Sequence, residues 1–111
     1  MTTTDKTGAP TAVTQESDRF SISVDGQKVG FTDYVDRDGQ RIFPHTEVLD
    51  EFGGRGLATI LVNEALLATR DAGLRIVAVC PMVGGFVEKH DEFADVADPV
   101  DSDVKRWLAN S

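Results

Sequence analysis

Glu51-Phe52-Gly53-Gly54-Arg55-Gly56-Leu57-Ala58-Thr59 is a glycine-dense turn that follows an apolar run and opens directly into an amphipathic stretch. Gly54 and Gly56 carry no side chains, so the backbone can approach an anion there and aim unpaired N–H groups at it, helped by the dipole of the helix that follows. The turn reads as an anion-binding loop. A helix start made tight by glycine for packing alone is the competing reading.

The surrounding residues set the fold. Downstream, Leu57, Leu61, Ala65, Ala68 and Ala72 recur at helical spacing, with Ile60, Val62, Leu66 and Leu67 widening the stripe, and Gly73 supplies a C-cap. This predicts a helix from Gly56 to Ala72. Leu74 to Cys80 is nearly all apolar and reads as a strand buried on both faces, stopped by Pro81. Val83 to His90, with Phe86 and Val87, reads as a second helix. Ser102 to Leu108 reads as a last short one, capped by Asp101 or Ser102 and docked through Trp107 and Leu108.

Upstream, Phe20, Ile22 and Val24 alternate with Ser21 and Ser23, the period of a half-buried strand. Asp25-Gly26 turns it into a second strand over 29–35, and Asp38-Gly39 leads into a third from Arg41 to about Leu49. Pro44 interrupts that third strand, because proline has no N–H to give the ladder. The expected fold is α/β with a mixed sheet: an antiparallel three-stranded meander followed by a βαβα unit. The glycine turn then lies at the carboxyl end of the third strand, where open sheets bind their ligands.

Composition narrows the function. The 111 residues suit one domain, expected over 18–111, with the Thr-rich residues 1–17 as a disordered tail that lacks the basic start and apolar centre of a signal peptide. No apolar run approaches the ~20 residues of a membrane span, so a cytoplasmic protein is expected, with no membrane contact. Cys80 is the only cysteine, which excludes an internal disulfide and a cysteine-built metal site. With 11 basic against 19 acidic residues the net charge is -8, which argues against nucleic acid and favours cationic partners. Asp91, Glu92, Asp95, Asp98, Asp101 and Asp103 crowd the C-terminal part; a solvated face is the simpler reading and a substrate-attracting surface the sharper one. A nucleoside-triphosphate loop would need a lysine with Ser or Thr after its last glycine, and this turn has none. A dinucleotide fold would place its glycines after the first strand.

The order of elements, with His45-Thr46-Glu47-Val48, Gly54-Arg55-Gly56-Leu57-Ala58, Cys80-Pro81-Met82-Val83 and Glu88-Lys89-His90, resembles the short branch of the GNAT superfamily of N-acetyltransferases. The likeness extends from about Phe20 to Val96. It implies acetyl-CoA held where two parallel strands splay apart. The pyrophosphate would lie on the backbone of Gly54, Arg55, Gly56, Leu57, Ala58 and Thr59, and the pantetheine arm along Glu47, Val48 and Leu49. Cys80, Pro81, Phe86 and His90 would complete the cofactor's surroundings, with Lys89 and His90 either reaching its adenosine end or phosphate or simply complementing a helix dipole. The family motif usually begins with Arg or Gln, and Gly53 stands there instead.

Acetyl transfer to an amine needs a base for the ammonium proton and a proton for the departing thiolate. Glu47 is the expected base and His45, two residues away on the same strand face, a second; each has an ordinary structural reading beside it. Cys80 is expected near the cofactor sulfur, to donate a proton or accept the acetyl group, against the reading of a small core residue. Many relatives use a tyrosine as the acid where this chain has Phe86. The expected activity is acetyl-CoA-dependent transfer to a small amine or lysine side chain, with the acceptor pocket open or completed by a protein partner or a second copy. A non-catalytic acyl-CoA sensor and a protein-interaction module are the alternatives.

Overall fold

The two Asp-Gly pairs fix the first hairpins. Asp25 and Gly26, and again Asp38 and Gly39, adopt positive φ at both central positions (50° and 84°; 50° and 77°), the mirror-image turn that matches strand twist. The computed structural model describes residues 2–4, 10–49, 56–100 and 102–109. Within these, β1 (Thr2–Thr4), β2 (Pro10–Gln15), β3 (Arg19–Val24), β4 (Gln27–Asp33) and β7 (Thr46–Val48) form a five-stranded antiparallel sheet in the order β1-β2-β3-β4-β7. A second sheet, β5-β6-β8-β9, is built from β5 (Val35–Arg37), β6 (Gln40–Phe43), β8 (Arg75–Ala78) and β9 (Ala97–Asp98). In it β6 lies parallel to β8, and β8 parallel to β9.

Two expectations change here. Residues 2–4 and 10–15 are strands rather than a disordered tail: β2 pairs with β3 from Thr11↔Val24 to Gln15↔Phe20, so the backbone ladder orders a segment whose polar composition carries no strand signal. The three-stranded meander is therefore the centre of a larger sheet. The expected second and third strands are also each broken in two. Tyr34 separates β4 from β5, and Pro44-His45 separate β6 from β7, as the missing N–H of Pro44 predicts. Each strand thus leaves one sheet and enters the other. Beside these breaks, buried Arg41 grips Asp36 through two hydrogen bonds of 2.7 and 2.9 Å and lies 4.4 Å from the Tyr34 ring.

Helix α1 (Leu57–Asp71) crosses between β7 and β8, so β6-α1-β8 is the expected parallel crossover unit. It buries Leu57, Leu61, Val62, Ala65 and Leu66 against Phe20, Ile22 and Val29 of the antiparallel sheet and Phe43 and Ile76 of the other. Its end is the anticipated one. Gly73 takes φ 76°, its N–H donates to the Arg70 carbonyl, and Leu74 N–H donates to that of Thr69, closing the last turn with a left-handed glycine. Helix α2 (Pro81–Lys89) starts two residues before the expected Val83, because Pro81 fits the first helical position, where its missing N–H costs nothing. A 3-10 helix over Asp91–Val96 follows, then α3 (Ser102–Ala109), whose Val104 and Trp107 join Ile42 and Val77 in a second, smaller core. The Asp101 cap lies outside the described residues. No described helix is long and apolar enough to cross a membrane.

Candidate active site

The broken strand makes the site. Phe43 is the last residue of β6 in register with β8, and Cys80 N–H then donates to the Phe43 carbonyl at 2.8 Å. Among the described residues this is the final backbone link between the two. Beyond it the chain turns at Pro44-His45, and β7 pairs only with β4, through Gly30↔Val48, Phe31↔Glu47 and Thr32↔Thr46. The neighbouring strands part between β7 and Cys80. Gly30 lets β7 lie close, since a Cβ on it would come 2.8 Å from the Glu47 carbonyl oxygen and 2.9 Å from Val48 Cγ2.

Both helices that follow these strand ends begin at the gap. Gly56 is the N-cap of α1 at φ 77° and ψ 13°, a left-handed conformation that glycine takes freely. Neither α1 nor α2 has a side-chain hydrogen bond capping it, and neither has an acidic residue in its first turn. The N–H groups of Leu57, Ala58 and Thr59 precede the first intrahelical bond, Ile60 N–H to the Gly56 carbonyl, and have no partner among the described residues, so they suit a ligand. An anionic group fits this arrangement. Gly53, Gly54 and Arg55 lie outside the described residues, so Gly56 to Thr59 are the part of the expected cradle that can be placed.

Ala58 and Thr59 of α1, Pro81, Met82, Gly85, Phe86 and Lys89 of α2, and His90 at the end of α2 line a cleft of about 310 Å³. Five predicted cofactor residues, Ala58, Thr59, Pro81, Phe86 and His90, are thus brought together. The rings of Phe86 and His90 stack at 3.8 Å, with His90 Nδ1 2.8 Å from the Phe86 carbonyl oxygen. A carbonyl only accepts, so Nδ1–H donates and Nε2 is the ring nitrogen left to act otherwise. Leu57 is buried in the core and can offer only its backbone. Cys80 is buried at the N-cap of α2, beside the parting strands and at the positive end of the helix dipole.

Glu47 and Leu49 belong to a different opening, while Val48 between them borders it but turns its side chain to the core on the α1 side. Cross-strand partners share a face, so Ser21, Phe31 and Glu47 point away from α1, whereas Phe20, Ile22 and Thr32 point towards it. On that open face the strands line a second cleft of about 670 Å³ that includes Glu16, Arg19, Lys28, Phe31, Glu47 and Leu49. His45 and Glu47 do meet as a pair on this face, Nε2 to Oε1 3.6 Å, with both side chains more than half exposed. The Glu16 carboxylate accepts from Ser21 Oγ at 2.7 Å and Lys28 Nζ at 3.2 Å, and the Ser21 hydrogen bond followed by the Lys28 contact holds it below the usual carboxylate range. Sequence reasoning missed Arg19, Phe31, Glu16 and Lys28, which come from separate segments and meet only through strand register.

A family model described as GCN5-related N-acetyl-transferase matches residues 19–96. A GCN5-like protein of Staphylococcus aureus, solved in solution by NMR, superposes with a TM-score of 0.63 at 26% identity, over 82% of this chain and 91% of that one. No curated protein matches the chain. The parted strands, the glycine-opened helix and this match over most of the sequence lead to one conclusion: the chain belongs to the GCN5-related N-acetyl-transferase family.

Proposed function

We propose that this protein is a cytoplasmic enzyme that binds acetyl-CoA between α1 and α2 and transfers its acetyl group to a primary amine, either a small amine or a lysine side chain. The observation that carries the reading is the separation of β7 from β8 beside two helix N-termini that are free of caps and acidic residues. Such ends favour an anionic ligand such as a pyrophosphate. Gly56, Leu57, Ala58 and Thr59 offer backbone donors, and Lys89 and His90 supply basic groups on the facing wall.

When bound, the cofactor supplies the acetyl group already activated as a thioester. The chain's own residues divide the remaining work. Glu47, exposed and flanked by His45, takes the proton of the incoming ammonium directly or through water, with His45 as the second acceptor of that proton. Cys80 holds a proton at Sγ at the edge of the gap, which it would give to the departing coenzyme thiolate, whether the acetyl group passes to the amine or, with the same thioester bond broken, to Sγ itself. Phe86 keeps the cleft apolar and has no hydroxyl to give.

That last feature favours one other reading, a sensor that binds acyl-CoA without turnover. Calorimetric titration with acetyl-CoA, followed by mass spectrometry for acetyl on Cys80, separates the outcomes. Binding with an acetylated amine product supports the enzyme, and binding with no product on any amine supports the sensor. No binding at ~1 mM, weaker than about -4 kcal/mol, ends both.

A further inference from the structure

The open face of the antiparallel sheet holds a cleft about twice the size of the one between the helices, with Glu47 on its wall. Its residues are arranged for a ligand. Phe31 is the direct cross-strand partner of Glu47 on this face, so the ring and the carboxylate are immediate neighbours. The ring already attracts a cation from the protein itself: the Arg19 guanidinium lies 4.4 Å from its centroid, held by Asp33 at 3.3 Å, while the His45 ring packs against it as a tilted aromatic pair at 5.9 Å. Next to Glu47, Leu49 remains 48% exposed, an apolar surface beside an unburied acid. An aromatic face, an apolar wall and a terminal carboxylate match an alkyl stem that ends in an ammonium group.

We infer that this open-face cleft is the acceptor site and takes an unbranched alkylamine, with Phe31 bearing the cationic end on its way to Glu47 and Arg19 limiting access to the ring. The inference rests on the reading of Glu47 as the proton acceptor. Arg19 acts in two ways. It covers part of the Phe31 face, and its positive charge opposes a second cation there. A stem carrying one ammonium is therefore accepted over one carrying several.

The test is an NMR titration of the ¹⁵N-labelled full chain with n-pentylamine, with n-pentanol as the uncharged control, alongside acetyl-transfer kinetics on the same amine. The amine is expected to shift the amides of Gly30, Phe31, Glu47 and Leu49 while leaving Thr59 and Gly85 still, and pentanol is expected to shift them less. Arg19→Gln lowers the amine's dissociation constant about 2- to 5-fold and Phe31→Leu raises it by a similar factor, the size of an exposed cation–π contact. Acetyl-CoA affinity stays unchanged in both. Arg19→Gln removes the partly exposed ion pairs with Asp18 and Asp33 and the contact with Phe31 without opening a core cavity, so it stands as a test even where Phe31→Leu disturbs folding. Shifts confined to the helix cleft, no shift at millimolar amine, or an unchanged amine affinity in Arg19→Gln overturns the inference. Binding at these amides without turnover keeps the site and retires the transferase reading. Turnover whose amine KM ignores both substitutions keeps the transferase and retires the site.

Discussion

The two clefts lie on opposite sides of the parted strands and differ in charge chemistry. The one between α1 and α2 is walled by helix N-termini, small residues and the basic pair Lys89 and His90, with no carboxylate among its lining residues. The one on the open sheet face carries Glu16, Asp18 and Glu47 around Phe31; Lys28 engages Glu16 and Arg19 approaches Asp18, which leaves Glu47 as the carboxylate of this cleft with no lysine or arginine paired to it among the described residues. An anion is matched to the first and a cation to the second. The difference teaches that a chain of net charge -8 can still offer an anion a welcoming site, because backbone donors and helix dipoles do locally what an overall basic composition would otherwise do.

Substitutions that erase this contrast give the sharpest tests. Glu47→Gln removes the proposed proton acceptor, and kcat/KM for amine acetylation is expected to fall about 100-fold or more while calorimetry shows unchanged acetyl-CoA binding. Gly56→Ala puts a side chain at φ 77° and costs about 1–2 kcal/mol of stability, measured by denaturant unfolding, with weaker cofactor binding as the helix start shifts. Thr59→Glu gives the anionic side the acid it lacks. It is expected to weaken acetyl-CoA binding several-fold while leaving the unfolding free energy equal or raised by about a few tenths of a kcal/mol, because an acid in the first turn complements the dipole. Opposite signs for affinity and stability are its signature, and a parallel loss of both counts against a ligand role for this helix end.

The smallest effect is in pH. Glu16 in the folded protein titrates below its ordinary range because of Ser21 and then Lys28. Its contribution is therefore present in full above the unfolded carboxylate pKa and is lost as pH falls through the lower folded value. Glu16→Gln should lower stability slightly at neutral pH, leave it nearly unchanged below the folded value of Glu16, and so make the acid limb of the stability profile shallower. Equilibrium unfolding across acid pH checks this.

The sequence carried the local rules well. Asp25-Gly26 and Asp38-Gly39 announce their hairpins because few other pairs tolerate two positive φ values, and the stripe from Leu57 to Leu66 announces α1 because five of its positions are buried on one face. Pro44 marks the place where the strand changes sheets. What could not be read depends on tertiary pairing. Thr11 to Gln15 has no periodic pattern and becomes a strand only against β3. β9 is two residues long, held by Asp98, which accepts from Gln40 at 2.8 Å and from Arg75 at 2.6 Å. The site divides in the same way. Ala58, Thr59, Pro81, Phe86 and His90 sit on helix ends that the sequence reveals. Arg19 and Phe31 are twelve positions apart and meet through the diagonal of a register that bulges at Ile22 and Ser23.

Gly30 has a consequence for how this chain tolerates change. The neighbouring strands can exchange outward-facing residues at little cost, but a methyl group at position 30 would press on the carbonyl of Glu47 and the side chain of Val48 at once. The first thing to move would be the short segment 46–48 that carries the acid, which is paired to β4 through three residues and flanked by the bonds Asp33 N–H to His45 and Leu49 N–H to Val29. A variant at this position would therefore keep most of its hydrogen-bonded framework while misdirecting its carboxylate. Inheritance of activity in such a lineage depends on an absent atom as much as on any side chain present.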